Sequence, residues 1–232
     1  MYLSRIQLRL ERLKPSMLEK WRGAASYAGH QWLWQLFPQQ ETRPFLFRQE
    51  PKAGFFVLSE TLPLPEHALF SIETKPFNPH LEVGLELSFQ LRANPVVCKN
   101  NKRCDVMMDA KFQAKANGIA QQNWWELQTR AAHQWLERQG DQHGFSPVAS
   151  SFDEFALWAG SEEDLSLQAA TSVKAYQQHR LQRKANEPPI RYSSVDFSGR
   201  LTVTDVALFQ QALFHGIGKS KALGCGLLMI KR

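Results

Sequence analysis

Hydrophobic and polar positions alternate at the start of the chain: Tyr2, Ser4, Ile6, Leu8 and Leu10 fall on one side of an extended strand, Leu3, Arg5, Gln7 and Arg9 on the other. That period of two predicts a half-buried first strand. The period then changes. Leu18, Trp21, Ala25, Ala28, Trp32 and Leu36 recur every three or four residues, the buried stripe of an amphipathic helix. Lys14-Pro15-Ser16-Met17-Leu18-Glu19 predicts the helix start, with Ser16 as N-cap and Glu19 closing a capping box, and Pro38 ends the helix. Tyr27, His30 and Trp34 point away from the stripe along one line, with Lys20 and Gly23 below them. Two aromatics and an imidazole on an outward face suit a site; packing on a neighbouring loop or a second domain would also explain them.

Phe45–Arg48 and Gly54–Leu58 read as strands joined by Pro51-Lys52-Ala53-Gly54, Pro65–His67 as the start of a short helix, and Leu69–Thr74 as a fourth strand. The order is that of a ferredoxin-like or RRM-like βαββαβ unit over residues 1–80. A second unit, residues 85–232, opens with Leu85, Leu87, Phe89 and Leu91 alternating with polar residues up to Asn94-Pro95. Cys98–Gly118 reads as a polar, basic loop, and Asn123–Gln139 as a helix presenting Trp124, Leu127, Ala131, Trp135 and Leu136. Gly140–Ser172 reads as acidic loops or a short amphipathic helix. Val173–Leu181 and Ile190–Phe197 form a hairpin whose turn holds Arg183, Lys184 and Pro188-Pro189, and Leu201–Val203 extends the sheet. Thr204 or Asp205 caps a last helix, and Leu227–Ile230 is the final strand. The fold class expected is α+β, two ferredoxin-like domains in tandem, the second with insertions.

Between that helix and strand lies Gly216-Ile217-Gly218-Lys219-Ser220-Lys221-Ala222-Leu223-Gly224-Cys225-Gly226. Glycine amides approach a ligand closely and lysines add charge, which suits a phosphate backbone. The phosphate loop of nucleotide triphosphatases is excluded, because Gly218-Lys219-Ser220 lacks the earlier glycine and the segment runs from helix to strand. A turn that only caps the helix would use the same glycines.

Charge narrows the partner. The 232 residues carry a formal charge of +6, which favours a polyanion. From Val173 to Arg200 six bases (Lys174, Arg180, Arg183, Lys184, Arg191, Arg200) face two acids, Glu187 and Asp196, whereas Asp153–Asp164 holds five acids and no base. That asymmetry predicts a nucleic-acid face. Cys98, Cys104 and Cys225 form no C-x-x-C pair and the seven histidines show no ligand spacing, so neither a metal, a cofactor nor a disulfide framework is expected. The chain has no apolar run near the roughly 18 residues of a membrane span and no leader-like start, and a cytoplasmic setting is expected.

Three pieces together resemble the CasE (Cse-type) CRISPR repeat endoribonucleases of type I-E systems. They are Met1-Tyr2-Leu3-Ser4, the segment Tyr27–Pro38 leading to Pro44-Phe45-Leu46-Phe47-Arg48, and the tail Gly216–Leu228. Leu91-Arg92-Ala93-Asn94-Pro95 and Lys102-Arg103 resemble the start of that family's second domain. The resemblance implies cleavage of a CRISPR precursor transcript on the 3′ side of a repeat stem-loop, retention of the guide RNA, and assembly with other Cascade subunits. It implies Tyr27 and His30 as catalytic residues. Some relatives have a basic residue five positions after the histidine; Gln35 stands there here. A lysine of the glycine loop or of the 98–104 loop is expected to substitute.

The chemistry fits these residue types. A ribose 2′-OH can attack the adjacent phosphate without metal, given a proton acceptor, a proton donor and stabilisation of the phosphorane. We therefore expect RNA contacts from Arg92, Lys102, Arg103, Lys174, Arg180, Arg183, Lys184, Arg191, Gly216, Gly218, Lys219, Ser220 and Lys221. A catalytically silent subunit that holds a processed guide would share the charge pattern and the glycine loop. An RRM-like single-strand module would need stacking aromatics exposed on a sheet.

Overall fold

A computed structural model of the chain describes residues 1–99, 101–148, 171–182 and 188–232. The architecture is α+β with antiparallel sheets. The first sheet holds β1 (Tyr2–Leu8), β2 (Phe45–Glu50), β3 (Gly54–Ser59) and β4 (Phe70–Pro76) in the order β2-β3-β1-β4, and helix α1 (Pro15–Leu33) packs on one face. The alternation of β1 is as expected, with Ser4, Ile6 and Leu8 buried and Arg5 and Gln7 exposed. Leu10 lies beyond the strand, in a 3-10 turn, and is 42% exposed.

Two local expectations fail here. Lys14 is the N-cap of α1 and no side chain caps the helix, so the Ser16–Glu19 box does not form. Pro15, with its φ fixed near the helical value, already occupies the first turn and draws Ser16 inside it. The short helix at Pro65–His67 is also absent. That segment runs irregularly to a bridge between His67 and Phe70, and Pro63 and Pro65 disfavour helical backbone before them. Helix α1 itself kinks at Ala24 (φ −157°, ψ 59°), next to Gly23. Beyond the kink it lies close on the sheet, because a Cβ at Gly29 would stand 2.7 Å from the Phe55 ring.

The second sheet is built of β5 (Glu86–Ala93), β8 (Phe145–Pro147), β9 (Ser172–Leu181), β10 (Ile190–Val203) and β11 (Leu228–Lys231). Its order is β11-β5-β10-β8, with β9 also paired to β10. The basic hairpin is confirmed: Leu181 pairs with Ile190 and Arg180 with Arg191, and β10 continues past a register shift at Asp196/Phe197 to Val203. Its turn residues Arg183 and Lys184, like the acidic stretch 153–164, lie outside the described residues.

Cys98–Gly118 is not a loop. It forms the hairpin β6 (Val96–Lys99) and β7 (Lys102–Asp105), then helix α2 (Val106–Ala116). The Asp105 carboxylate starts that helix by accepting from the Met107 and Met108 amides at 2.8 and 3.0 Å. Helix α3 (Trp124–His143) buries Trp135 and Leu136 on the sheet. Helix α4 (Val206–His215) is capped by Asp205, one of the two caps its sequence offers, which accepts from Leu208 N at 2.9 Å.

Leu46 and Leu58, on the face of the first sheet away from α1, meet Leu227 and partly buried Phe214 and Met229 from the end of the chain. This contact joins the two halves and brings the glycine loop to β2. Among the described residues no helix is long and apolar enough to cross a membrane.

Candidate active site and nucleic-acid interface

The bend of α1 and the edge strand β2 decide where His30 sits. Its ring stacks on Phe47 (centroids 5.9 Å apart, planes 17°) and lies 6.0 Å from Phe45. Trp34 Nε1 donates to His30 Nε2 at 3.2 Å, which leaves the ring proton on Nδ1. His30 is therefore half-buried against β2 rather than pointing straight out, and so is Trp34, 5.9 Å from Phe45. Tyr27, one turn earlier, is also half-buried, and its hydroxyl accepts from Gln31 Nε2 at 3.2 Å.

Burial disfavours the charged imidazole and the nearby Arg43 guanidinium opposes it further, so the His30 pKa falls from 6.5 to about 4. The ring is neutral at pH 7, and its lone pair on Nε2 is held by the Trp34 indole.

The glycine loop reaches the same place from the other end of the chain. Ile217 N donates to Gly226 O at 2.9 Å and Gly226 N to Arg92 O at 2.7 Å, which closes the loop on itself and on β5. Asn94 Nδ2 donates to Ser220 Oγ at 2.7 Å and steadies Ser220 in a left-handed conformation (φ 59°). The 3-10 turn Lys221–Leu223 then contacts both α1 and β2. At Gly224 (φ 82°) a Cβ would stand 3.3 Å from the ring of Phe47, the ring on which His30 stacks. Glycine takes that left-handed turn without strain and leaves room for the ring.

Lys221 is half-buried, and its pKa is lowered first by burial and then by Arg43 and Lys219. Arg43 is lowered by burial too. Three cations and a neutral histidine thus share one neighbourhood, and among the described residues none of the three cations makes an ion pair. Such a cluster repels itself and favours an anion between its members. Arg43 is the residue that sequence reasoning missed: it belongs to the polar stretch Gln39–Arg43, which has no period and no motif.

From Lys219 and Ser220 a groove of about 790 Å³ runs between the two hairpins, lined by Arg103 of β7, Arg180 of β9 and Arg191 of β10, with His179 and Tyr192. Arg180 and Arg191 stand directly opposite each other, an arrangement that costs stability unless an anion relieves it. The structure thus puts His30 near Arg43, and Lys221 near Arg43 and Lys219, leaves Tyr27 one helical turn before His30 with Gln31 as its partner, and puts Arg103, Arg180 and Arg191 along the groove with Lys219 and Ser220. Lys102 and Lys174 are exposed away from its lining. Gly216 and Gly218 are turned inward: a Cβ would meet Leu46 from Gly216 and Trp135 from Gly218. Arg92 is bound to Asp196 within the protein. No group of three or more His, Cys, Asp or Glu placed to hold a metal is found among the described residues.

Residues 1–232 match the model of the family described as CRISPR associated protein. The chain is 27% identical over 214 residues to the CRISPR system Cascade subunit CasE of Escherichia coli (strain K12), covering 88% of this chain and 90% of that relative. It is 28% identical over 196 residues to the CRISPR-associated endoribonuclease Cse3 of Thermus thermophilus, covering 80% of this chain and 78% of that relative. Its fold is similar to that of Thermus thermophilus Cse3 bound to an RNA representing a pre-cleavage complex, with a TM-score of 0.69 at 22% identity over 100% of this chain and 98% of that one.

Proposed function

The chain belongs to the CRISPR associated protein family, and from that premise we propose that it is a metal-independent endoribonuclease of CRISPR repeat RNA. It cuts the precursor on the 3′ side of the repeat stem-loop, keeps the guide RNA, and works in the cytoplasm as a Cascade subunit; the names of its relatives support the endoribonuclease and the Cascade part of this reading. We read residues 1–80 and 85–232 as two ferredoxin-like units, the first without its second helix. In the first sheet the opening strand β1 lies between β3 and β4; in the second the opening strand β5 lies between β10 and β11, with β9 beside β10 and β8 added. The observation that carries the reading is the convergence of a neutral His30 with Arg43 and Lys221 from distant parts of the chain.

Attack by the 2′-oxygen on phosphorus forms a 2′,3′-cyclic phosphate and breaks the bond to the 5′-oxygen, which leaves as a hydroxyl. The substrate 2′-OH takes the His30 Nε2 lone pair from the Trp34 indole and gives its proton there. The imidazolium so formed is a proton source for the leaving oxygen. Tyr27 hydrogen-bonds the phosphate or orients the ribose. Arg43 and Lys221 face the charge that develops on the phosphorane and take the role left open by Gln35. Arg103, Arg180, Arg191 and Lys219 line the path of the stem. An A-form stem has a deep, narrow major groove, so they grip its phosphates and shape more than its bases.

Cleavage of the cognate repeat in excess EDTA tests this reading. A cut with a cyclic-phosphate end is expected. Loss of cleavage in EDTA overturns the proton-transfer mechanism, and tight binding without any cut leaves a silent guide-holding subunit.

The pH dependence has a definite sign. A base must be unprotonated, so kcat/KM, which reports the free enzyme, is expected to fall on acidification only near the His30 pKa of about 4. A bound phosphodiester favours the imidazolium, so the acid limb of kcat should lie at higher pH than that of kcat/KM. Single-turnover rates over a pH series check it; two limbs coinciding at the ordinary histidine value would contradict it.

A further inference from the structure

We propose that Arg92 and Asp196 form a strut that holds the helix bearing Tyr27 and His30 against the glycine loop, making Arg92 a positioning residue and not an RNA contact. The inference rests on the reading of that helix and loop as the active site. Arg92 in β5 stands directly opposite Asp196 in β10. Its Nε and Nη2 donate to the two carboxylate oxygens at 2.7 and 2.8 Å, a bidentate pair. Its Nη1 crosses to the first sheet and donates to the carbonyl of Gln49 in β2 at 3.1 Å.

The contact continues to the catalytic helix. Ser26 Oγ donates to Gln49 Oε1 at 3.1 Å, and Ser26 immediately precedes Tyr27. On its backbone side, Arg92 O receives the Gly226 amide at 2.7 Å, which fixes the end of the glycine loop. One residue therefore touches β10, β2 and the loop. Three of its N–H donations are made inside the protein, and its charge is matched by a carboxylate. Little of the group is left for a phosphate.

The two roles differ in what an acid's removal does. Asp196 cannot attract phosphate, so only the strut makes Asp196→Ala harmful. With repeat RNA we expect Arg92→Ala and Asp196→Ala each to lower kcat roughly 10–100-fold, as ångström-scale misplacement does, with KM nearly unchanged. The double variant should be no worse than either single one. The slope of log binding constant against log salt should stay at the wild-type value, whereas a lost phosphate contact lowers it by about one. Arg92→Lys should not restore kcat, since lysine lacks the fork, although it would keep a phosphate contact. Arg92→Lys and Asp196→Asn change side-chain volume little and carry the comparison should the alanine variants not fold. The strut is overturned if Arg92→Ala lowers the salt slope by about one while Asp196→Ala cleaves at the wild-type rate. A wild-type protein that binds without cutting overturns the nuclease reading instead, and the salt slopes still decide whether Arg92 meets phosphate.

Discussion

Replacing His30 with alanine is expected to slow repeat cleavage by roughly 10²–10⁴-fold, the usual worth of a positioned proton acceptor, while RNA affinity stays within a few-fold. The second half of that expectation follows from the charge state of the ring. With its pKa near 4, His30 is uncharged in the free protein at neutral pH. Removing it takes away no phosphate-neutralising charge, so neither the affinity nor its salt dependence should move much. Truncation does uncover one side of Phe47 and Phe45, on which the ring rests. A loss of about 1–2 kcal/mol of stability is therefore expected, within the common range for point changes. His30→Gln, which fills part of the space but cannot move the proton at neutral pH, separates the two effects: it should melt nearer the wild type and still fail to cut. Gel-shift titration, thermal melting and single-turnover cleavage on the same preparations check all three. Cleavage by His30→Ala near the wild-type rate would remove His30 from the chemistry.

What could be read in the sequence was what local rules decide. The period-two run of β1, the helix α3 with its buried Trp135 and Leu136, a cap at Thr204 or Asp205 and the β9–β10 hairpin each carry their signal within a few residues, and each is found in the fold, the cap falling to Asp205. Where two local rules competed, the reading failed: Pro15 took the start of α1 from Ser16. It failed again at Cys98–Gly118, where polar residues hide a hairpin and a helix. The signal there was slight, Asp105 followed by Met107 and Ala114 on one helical face. The same division runs through the site. Tyr27, His30 and the glycine loop were visible as a resemblance, and the meeting of His30 and that loop at Phe47 was not, because it depends on how β2 and the last strand dock. Arg43 had no signal at all, since a charged residue in an irregular loop gains significance only from the neighbours the fold supplies. Arg92 was visible as a basic residue in a family motif, but its partner Asp196 stands across a strand pair that the sequence alone does not register.

The central claim is that the imidazole of His30 takes a proton from a ribose hydroxyl, so the most direct test lies in the RNA. A repeat RNA with a single 2′-deoxy nucleotide immediately 5′ of the cut lacks the attacking oxygen, while its stem, phosphates and neighbouring bases are kept. The protein should bind it about as tightly as the all-ribose RNA, because phosphate contacts dominate affinity, and should not cut it over times in which the all-ribose control is consumed. Undiminished cleavage of the deoxy-substituted RNA, leaving a 3′-hydroxyl or a linear 3′-phosphate, would mean that water and not the 2′-hydroxyl is the nucleophile, and would contradict the account.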